Sequence, residues 1–169
     1  HYAKVPDIVA EYMKAVSAHT GREYAPFTYY GDPEAENIIV AMGSVTECIR
    51  ETIDTLNANG EKVGMIKVHL YRPFSVKYLE AVLPATVKKI AVLDRTKETG
   101  SIGEPLYLDV KSLYYNKKEQ PIIIGGRYGL SSKDTTPAQI FAVYKNLAKG
   151  EEALDNFTVG INDDVTHLS

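Results

Sequence analysis

Asn37-Ile38-Ile39-Val40-Ala41-Met42-Gly43-Ser44 is an unbroken apolar run closed by a turn. A run this short without polar alternation marks a strand covered on both faces. The next residues have helical spacing: Val45, Cys48, Ile49, Thr52, Ile53 and Leu56 share one side, and Gly60 stops the helix. Ser44 with Glu47 three residues on reads as a capping box.

The same strand–turn–helix unit repeats along the chain. A second strand is expected over 62–70, followed by Arg72-Pro73-Phe74-Ser75 and a short helix carrying Tyr78, Leu79, Val82 and Leu83. A third strand, Lys89-Ile90-Ala91-Val92-Leu93-Asp94, leads through a polar loop over 95–103 to a helix over about 104–115. A fourth strand spans 121–125. The last helix opens with a second capping box, Thr136 with Gln139, and has Pro137 at its first position. A fifth strand is read at Phe157-Thr158-Val159-Gly160-Ile161. Strand and helix alternating over short connections imply parallel pairing with right-handed crossovers, hence an α/β fold of three layers, α/β/α. Val40, Ile66, Val92 and Ile123 are expected to be buried in the central sheet. Periodicity leaves the direction of the last strand open.

Upstream, Val5, Ile8, Val9, Tyr12, Met13 and Val16 define a helix over 5–20, ended by Gly21. Tyr24 to Pro33 is aromatic and broken by Pro and Gly, and reads as an extended connector. The chain thus divides into a helix and connector over 1–36 and an α/β domain over 37–169.

Composition bounds the chemistry. The chain has 169 residues, 19 Lys and Arg against 22 Asp and Glu, 44% hydrophobic residues and one cysteine. That length suits one domain able to bury roughly 70% of its unfolded surface. The net charge of −3 argues against a nucleic-acid binder. No apolar run approaches the ~20 residues of a membrane helix. The start, His1-Tyr2-Ala3-Lys4, has no Met and no signal-peptide pattern. A soluble, cytoplasmic domain cut from a longer chain is the expectation. Cys48 alone forms neither an internal disulfide nor a Cys-rich metal site.

Ligands of open parallel sheets bind at the carboxyl ends of strands. The loops there carry Ser44 and Thr46; Arg72; Arg95, Lys97 and Gly103; and Arg127 and Lys133. Cations beside helix N-termini suit an anion or an acidic neighbour. The competing reading pairs them with Asp94, Glu98, Glu104 or Asp134. If Arg127 faces a neighbour, Arg127→Ala is expected to leave the isolated chain almost as stable. Other motifs fail. Gly43-Ser44-Val45-Thr46 lacks the second glycine of a nucleophile elbow. Gly125-Gly126-Arg127-Tyr128-Gly129 lacks dinucleotide spacing. His1, His19, His69 and His167 are scattered, and Asp163-Asp164 reads as a surface turn.

Six ordered blocks carry a resemblance: the 37–44 run; Val68-His69-Leu70-Tyr71-Arg72-Pro73-Phe74; Ala91-Val92-Leu93-Asp94-Arg95-Thr96-Lys97-Glu98; Gly103-Glu104-Pro105-Leu106-Tyr107-Leu108-Asp109-Val110; Gly125-Gly126-Arg127-Tyr128-Gly129-Leu130; and 158–169. Together they resemble the second domain of pyruvate:ferredoxin (flavodoxin) oxidoreductases, over essentially the whole chain. The resemblance implies a fold like the transketolase C-terminal domain, a five-stranded, mostly parallel sheet with one antiparallel edge strand, which would be the last. It implies a dimeric, multidomain cytoplasmic parent enzyme. That enzyme would convert pyruvate and coenzyme A to acetyl-coenzyme A and carbon dioxide, passing electrons to ferredoxin or flavodoxin. Thiamine diphosphate, magnesium and iron–sulfur clusters would belong to its other domains. This chain would bind no cofactor and would be non-catalytic and architectural, with the other domains as its partners. Two rivals are an anion- or nucleotide-binding regulatory module and the equivalent domain of another thiamine diphosphate enzyme.

Overall fold

A computed structural model describes residues 1–160. The elements in chain order are α1 (Val5–Thr20), β1 (Phe27–Gly31), β2 (Asn37–Met42), α2 (Val45–Ala58), β3 (Val63–Val68), α3 (Val76–Val82), β4 (Lys89–Asp94), α4 (Pro105–Leu113), β5 (Ile122–Arg127), α5 (Pro137–Ala148) and β6 (Phe157–Thr158). They form one six-stranded sheet in the order β1-β3-β2-β4-β5-β6.

Strand alternation builds two cores from the same unbroken runs. Ile39 and Ala41 of β2, Val63 and Met65 of β3 and Ala91 and Leu93 of β4 face α2 and α5. Ile38 and Val40, Ile66 and Val68, and Ile90 and Val92 face the opposite way, toward α3 and α4. Successive side chains of a strand point to opposite faces. A strand buried on both therefore has no room for polar alternation. The three-layer α/β/α architecture expected from the sequence is the one observed.

Two details differ. Among the described residues there are six strands rather than five, and the antiparallel edge strand is β1, not the last. β1 pairs with β3 antiparallel, Phe27 opposite Val68 and Gly31 opposite Gly64. β6 pairs with β5 parallel. The stretch read as a connector is therefore part of the sheet. Pro26 and Pro33 bracket it, and proline is tolerated at a sheet edge because an outward N–H has no ladder partner to lose. Phe27 anchors it, 1% exposed, with its ring edge-on to Phe74 at 5.6 Å. β6 is shorter than the expected strand over 157–161. Ile161, the Asp163-Asp164 pair, His167 and the rest of 161–169 lie outside the described residues.

Val40, Ile66 and Val92 are buried, at 1%, 0% and 0% exposure. Ile123 is only half-buried. The cause is the short neighbour: β6 covers β5 at Gly126 and Arg127 only, so β5 is an edge strand at Ile123. Of the two capping boxes, the one at Thr136 forms, with Thr136 and Gln139 each bonding the other's backbone. The one at Ser44 does not. Ser44 is already helical, at φ −65° and ψ −26°, and Glu47 pairs with Lys67 at 2.9 Å instead.

Candidate functional site at the carboxyl edge of the sheet

β2, β4 and β5 end on the same edge, because their pairing is parallel. Three of the candidate residues meet there. Ser44, Arg95 and Lys133 line a cavity of ≈ 270 Å³ with Val45, Cys48, Tyr128, Gly129, Asp134 and Thr135. Ser44 lies at the start of α2 and makes no side-chain cap. The start of the helix, where partial positive charge gathers, thus borders the cavity. Arg95 and Lys133 are exposed, and neither has a carboxylate within salt-bridge distance among the described residues. Arg95 Nε lies 3.5 Å from the Gly129 carbonyl. Tyr128 closes the floor, its hydroxyl donating to the Met42 carbonyl at 3.0 Å.

The other candidates are placed elsewhere. Thr46 is fully buried, with its hydroxyl donating to the Gly43 carbonyl at 2.7 Å. Arg72 lies over the Tyr71 ring, 3.8 Å from its centroid, and its Nη1 is 2.7 Å from Asp109 Oδ2. This places it on the α4 side of the sheet. Gly103 lies under the Tyr107 ring on that same side. Lys97 is exposed in the loop before α4.

Arg127 is consumed inside the domain. Its side chain is 4% exposed and that of its partner Glu104 is 7%. Nη1 donates to Glu104 Oε1 at 2.9 Å and to Asn156 Oδ1 at 2.5 Å. Nη2 donates to the Asn156 carbonyl at 2.8 Å, and Nε to Thr158 Oγ1 at 3.0 Å. Glu104 Oε2 in turn accepts the Glu98 N–H at 2.7 Å, tying down the β4–α4 loop.

Asp94 is the residue whose role the sequence reading missed. Its two carboxylate oxygens accept the N–H groups of Leu106 and Tyr107, at 2.9 and 3.1 Å. It fills from within the anion position at the α4 N-terminus. Burial pushes its carboxyl up from the ordinary value, and the two backbone bonds oppose that shift. A strand-ending Asp followed eleven residues later by Pro105 at a helix start is a weak signal, because the loop between can place it anywhere. Cys48 is half-buried against the α2–α5 core. Burial first, then Glu51, pushes its thiol pKa up. A half-buried thiol of raised pKa stays protonated, which suits packing rather than nucleophilic attack.

The glycine pair at the end of β5 has a packing cause. A Cβ on Gly125 would come within 2.9 Å of the Tyr107 ring, and one on Gly126 would run into Phe157. These glycines admit aromatic rings from both sides of the sheet, not a dinucleotide.

Comparisons with known proteins agree with this architecture. A family described as "Pyruvate:ferredoxin oxidoreductase core domain II" matches residues 35–140. A pyruvate-flavodoxin oxidoreductase of Enterobacter agglomerans is 58% identical over 168 residues, covering 99% of this chain and 14% of that protein. A pyruvate:ferredoxin oxidoreductase of Moorella thermoacetica is 53% identical over 169 residues, covering 100% of this chain and 14% of its own length. This chain therefore spans about one-seventh of the length of each of these two relatives. Among solved structures, a 2-oxoglutarate:ferredoxin oxidoreductase from Magnetococcus marinus superposes with a TM-score of 0.51. It is 24% identical and covers 78% of this chain and 21% of that one. A split-gene transketolase superposes at 0.50, is 16% identical and covers 75% of this chain and 40% of that one. At those identities the structures speak for the fold. The sequence matches go further: this chain belongs to the pyruvate:ferredoxin oxidoreductase core domain II family.

Proposed function

We propose that this chain is an architectural domain of a pyruvate:ferredoxin or pyruvate:flavodoxin oxidoreductase. The whole enzyme would convert pyruvate and coenzyme A to acetyl-coenzyme A and carbon dioxide and pass electrons to ferredoxin or flavodoxin. It would be a cytoplasmic homodimer using thiamine diphosphate, magnesium and iron–sulfur clusters held by other domains. This chain's own residues do not fit an iron–sulfur cluster. Among the described residues no three His, Cys, Asp or Glu side chains are placed to hold a metal ion. One cysteine falls short of the roughly four thiolates of a cubane cluster.

The observation that carries the reading is how the carboxyl edge is filled. In related α/β folds this edge receives the ligand. Here Asp94 occupies the α4 N-terminus and Glu104 takes Arg127, while Thr136 and Gln139 close the start of α5. What is left is the notch of Ser44, Arg95 and Lys133. In our reading it receives a carboxylate from a neighbouring domain. A partly desolvated carboxylate bonded to Arg95 would contribute about 1.5–3 kcal/mol.

The test is the pair Arg95→Glu and Lys133→Glu, introduced into the full-length enzyme and into this chain alone. The expected result is a lower unfolding midpoint and weaker assembly of the enzyme, with the isolated chain unchanged. An unchanged enzyme removes the interdomain contact. Protection of the isolated chain by inorganic phosphate, lost in the same variants, would favour an anion-binding regulatory role instead.

A further inference from the structure

α1 carries more apolar surface than this domain covers. Val5, Val9 and Met13 are half-buried. Ile8, Tyr12 and Val16, spaced by four residues and so on one face, are 49%, 71% and 48% exposed. Tyr2, in the turn leading into the helix, is 81% exposed. Nine large apolar side chains are exposed among the described residues, and these four lie within 2–16. The grouping sets them apart from the single exposed apolar residues normal on any surface.

The exposure does not come from a helix that hangs free. Pro6 is buried. Asp7 Oδ1 accepts from Lys77 Nζ at 2.7 Å and from the Tyr78 hydroxyl at 2.8 Å. At the other end Gly21 adopts the left-handed conformation that closes the helix, and the Tyr24 N–H donates to Ser17 Oγ at 2.8 Å. α1 is thus tied near both of its ends, with the Ile8, Tyr12 and Val16 face turned outward.

An aromatic side chain offers about 150–250 Å², so the partly exposed Ile8, Tyr12 and Val16 face amounts to roughly 300 Å². That is well under the ~800 Å² per partner that a stable interface between separate molecules buries. Domains of one polypeptide need less, because the linker holds them at an effective concentration in the millimolar range. The relatives supply such a polypeptide, since this chain spans only 14% of their length.

We propose that the Ile8, Tyr12 and Val16 face of α1 docks onto an apolar surface of another domain of the same full-length polypeptide. The inference rests on the reading of this chain as one domain of a larger enzyme. The partner surface presents aliphatic or aromatic side chains at its centre. Its rim carries hydrogen-bond acceptors for the Tyr2 and Tyr12 hydroxyls, which need partners once water is excluded.

The experiment replaces Tyr12 with benzoylphenylalanine in the full-length enzyme, irradiates it and maps the cross-links by mass spectrometry. Cross-links to peptides outside residues 1–169, at the mass of a single polypeptide on a denaturing gel, are expected. Tyr115, 81% exposed, replaced in the same way serves as the solvent control. A product of doubled mass overturns the proposal in favour of a second copy. A yield at position 12 no higher than at 115 overturns it in favour of a solvated face. In parallel, Tyr12→Asp should lower the unfolding midpoint of the full-length enzyme by about 2 °C or more, and no shift would count against docking. None of these outcomes depends on Arg95 or Lys133, so failure here leaves the carboxyl-edge contact standing.

Discussion

Arg127 makes four hydrogen bonds, all to groups of its own domain. Removing a buried charge from a pair strands the other. Arg127→Ala should therefore destabilise the isolated chain by about 3–5 kcal/mol, reversing the near-neutral effect expected from sequence. Urea denaturation measures this, and a loss below about 1 kcal/mol would mean that Glu104 finds another partner. The double variant Arg127→Met with Glu104→Leu should be milder than Arg127→Ala, because no charge is left buried. Asp94 adds a pH dependence. Its folded pKa is raised, chiefly by burial. Its contribution to stability is therefore fully present below the ordinary Asp range near 3.9 and is lost as pH rises through the raised value. Asp94→Asn removes that titration. The stability advantage of the native protein over Asp94→Asn should be largest in acid and should shrink toward neutrality. Denaturation curves between about pH 4 and about pH 7 decide the matter, and a difference that grows with pH would contradict it.

Among the elements, the two capping sequences look alike but differ in geometry. Thr136 sits in an extended conformation, at φ −101° and ψ 157°, from which its hydroxyl accepts the Gln139 N–H. Ser44 is already in the helical conformation and its hydroxyl makes no cap bond to the first turn. Thr136→Ala should cost about 1 kcal/mol, and Ser44→Ala less than about half that. Equal losses would show that Ser44 caps α2 after all. The strands make a second contrast. Val40→Ala, Ile66→Ala and Val92→Ala should each cost about 1–4 kcal/mol through lost burial and a cavity. Ile123→Ala should cost less than Ile66→Ala, since among the described residues that end of β5 has β4 on one side only and Ile123 is half-buried.

In the molecule as a unit, both faces of the sheet are closed by helices, while the outer side of α1 and the notch at Arg95 stay open. The isolated chain should fold and yet show no turnover of pyruvate. An anaerobic assay with coenzyme A, thiamine diphosphate and a viologen dye checks this, and turnover above background would sink the architectural reading. The repeated strand–helix unit, its three layers and the limits of α1 were all legible in the residues alone. Each rests on signals among near neighbours: the period of apolar residues, Gly21 and Gly60 at helix ends, Pro137 at a helix start. The destinations of charges and edges were settled by long-range packing. Whether Arg127 meets solvent or Glu104 depends on where the β4–α4 loop sets Glu104, 23 residues earlier in the chain. Whether 27–31 is connector or strand depends on β3 offering a free edge. Whether β6 runs parallel depends on where α5 returns the chain. Ser44, Arg95 and Lys133 meet for the same reason, at strand ends made adjacent by parallel pairing. Local periodicity carries no information about contacts across such distances, because they are set by packing of the sheet as a whole.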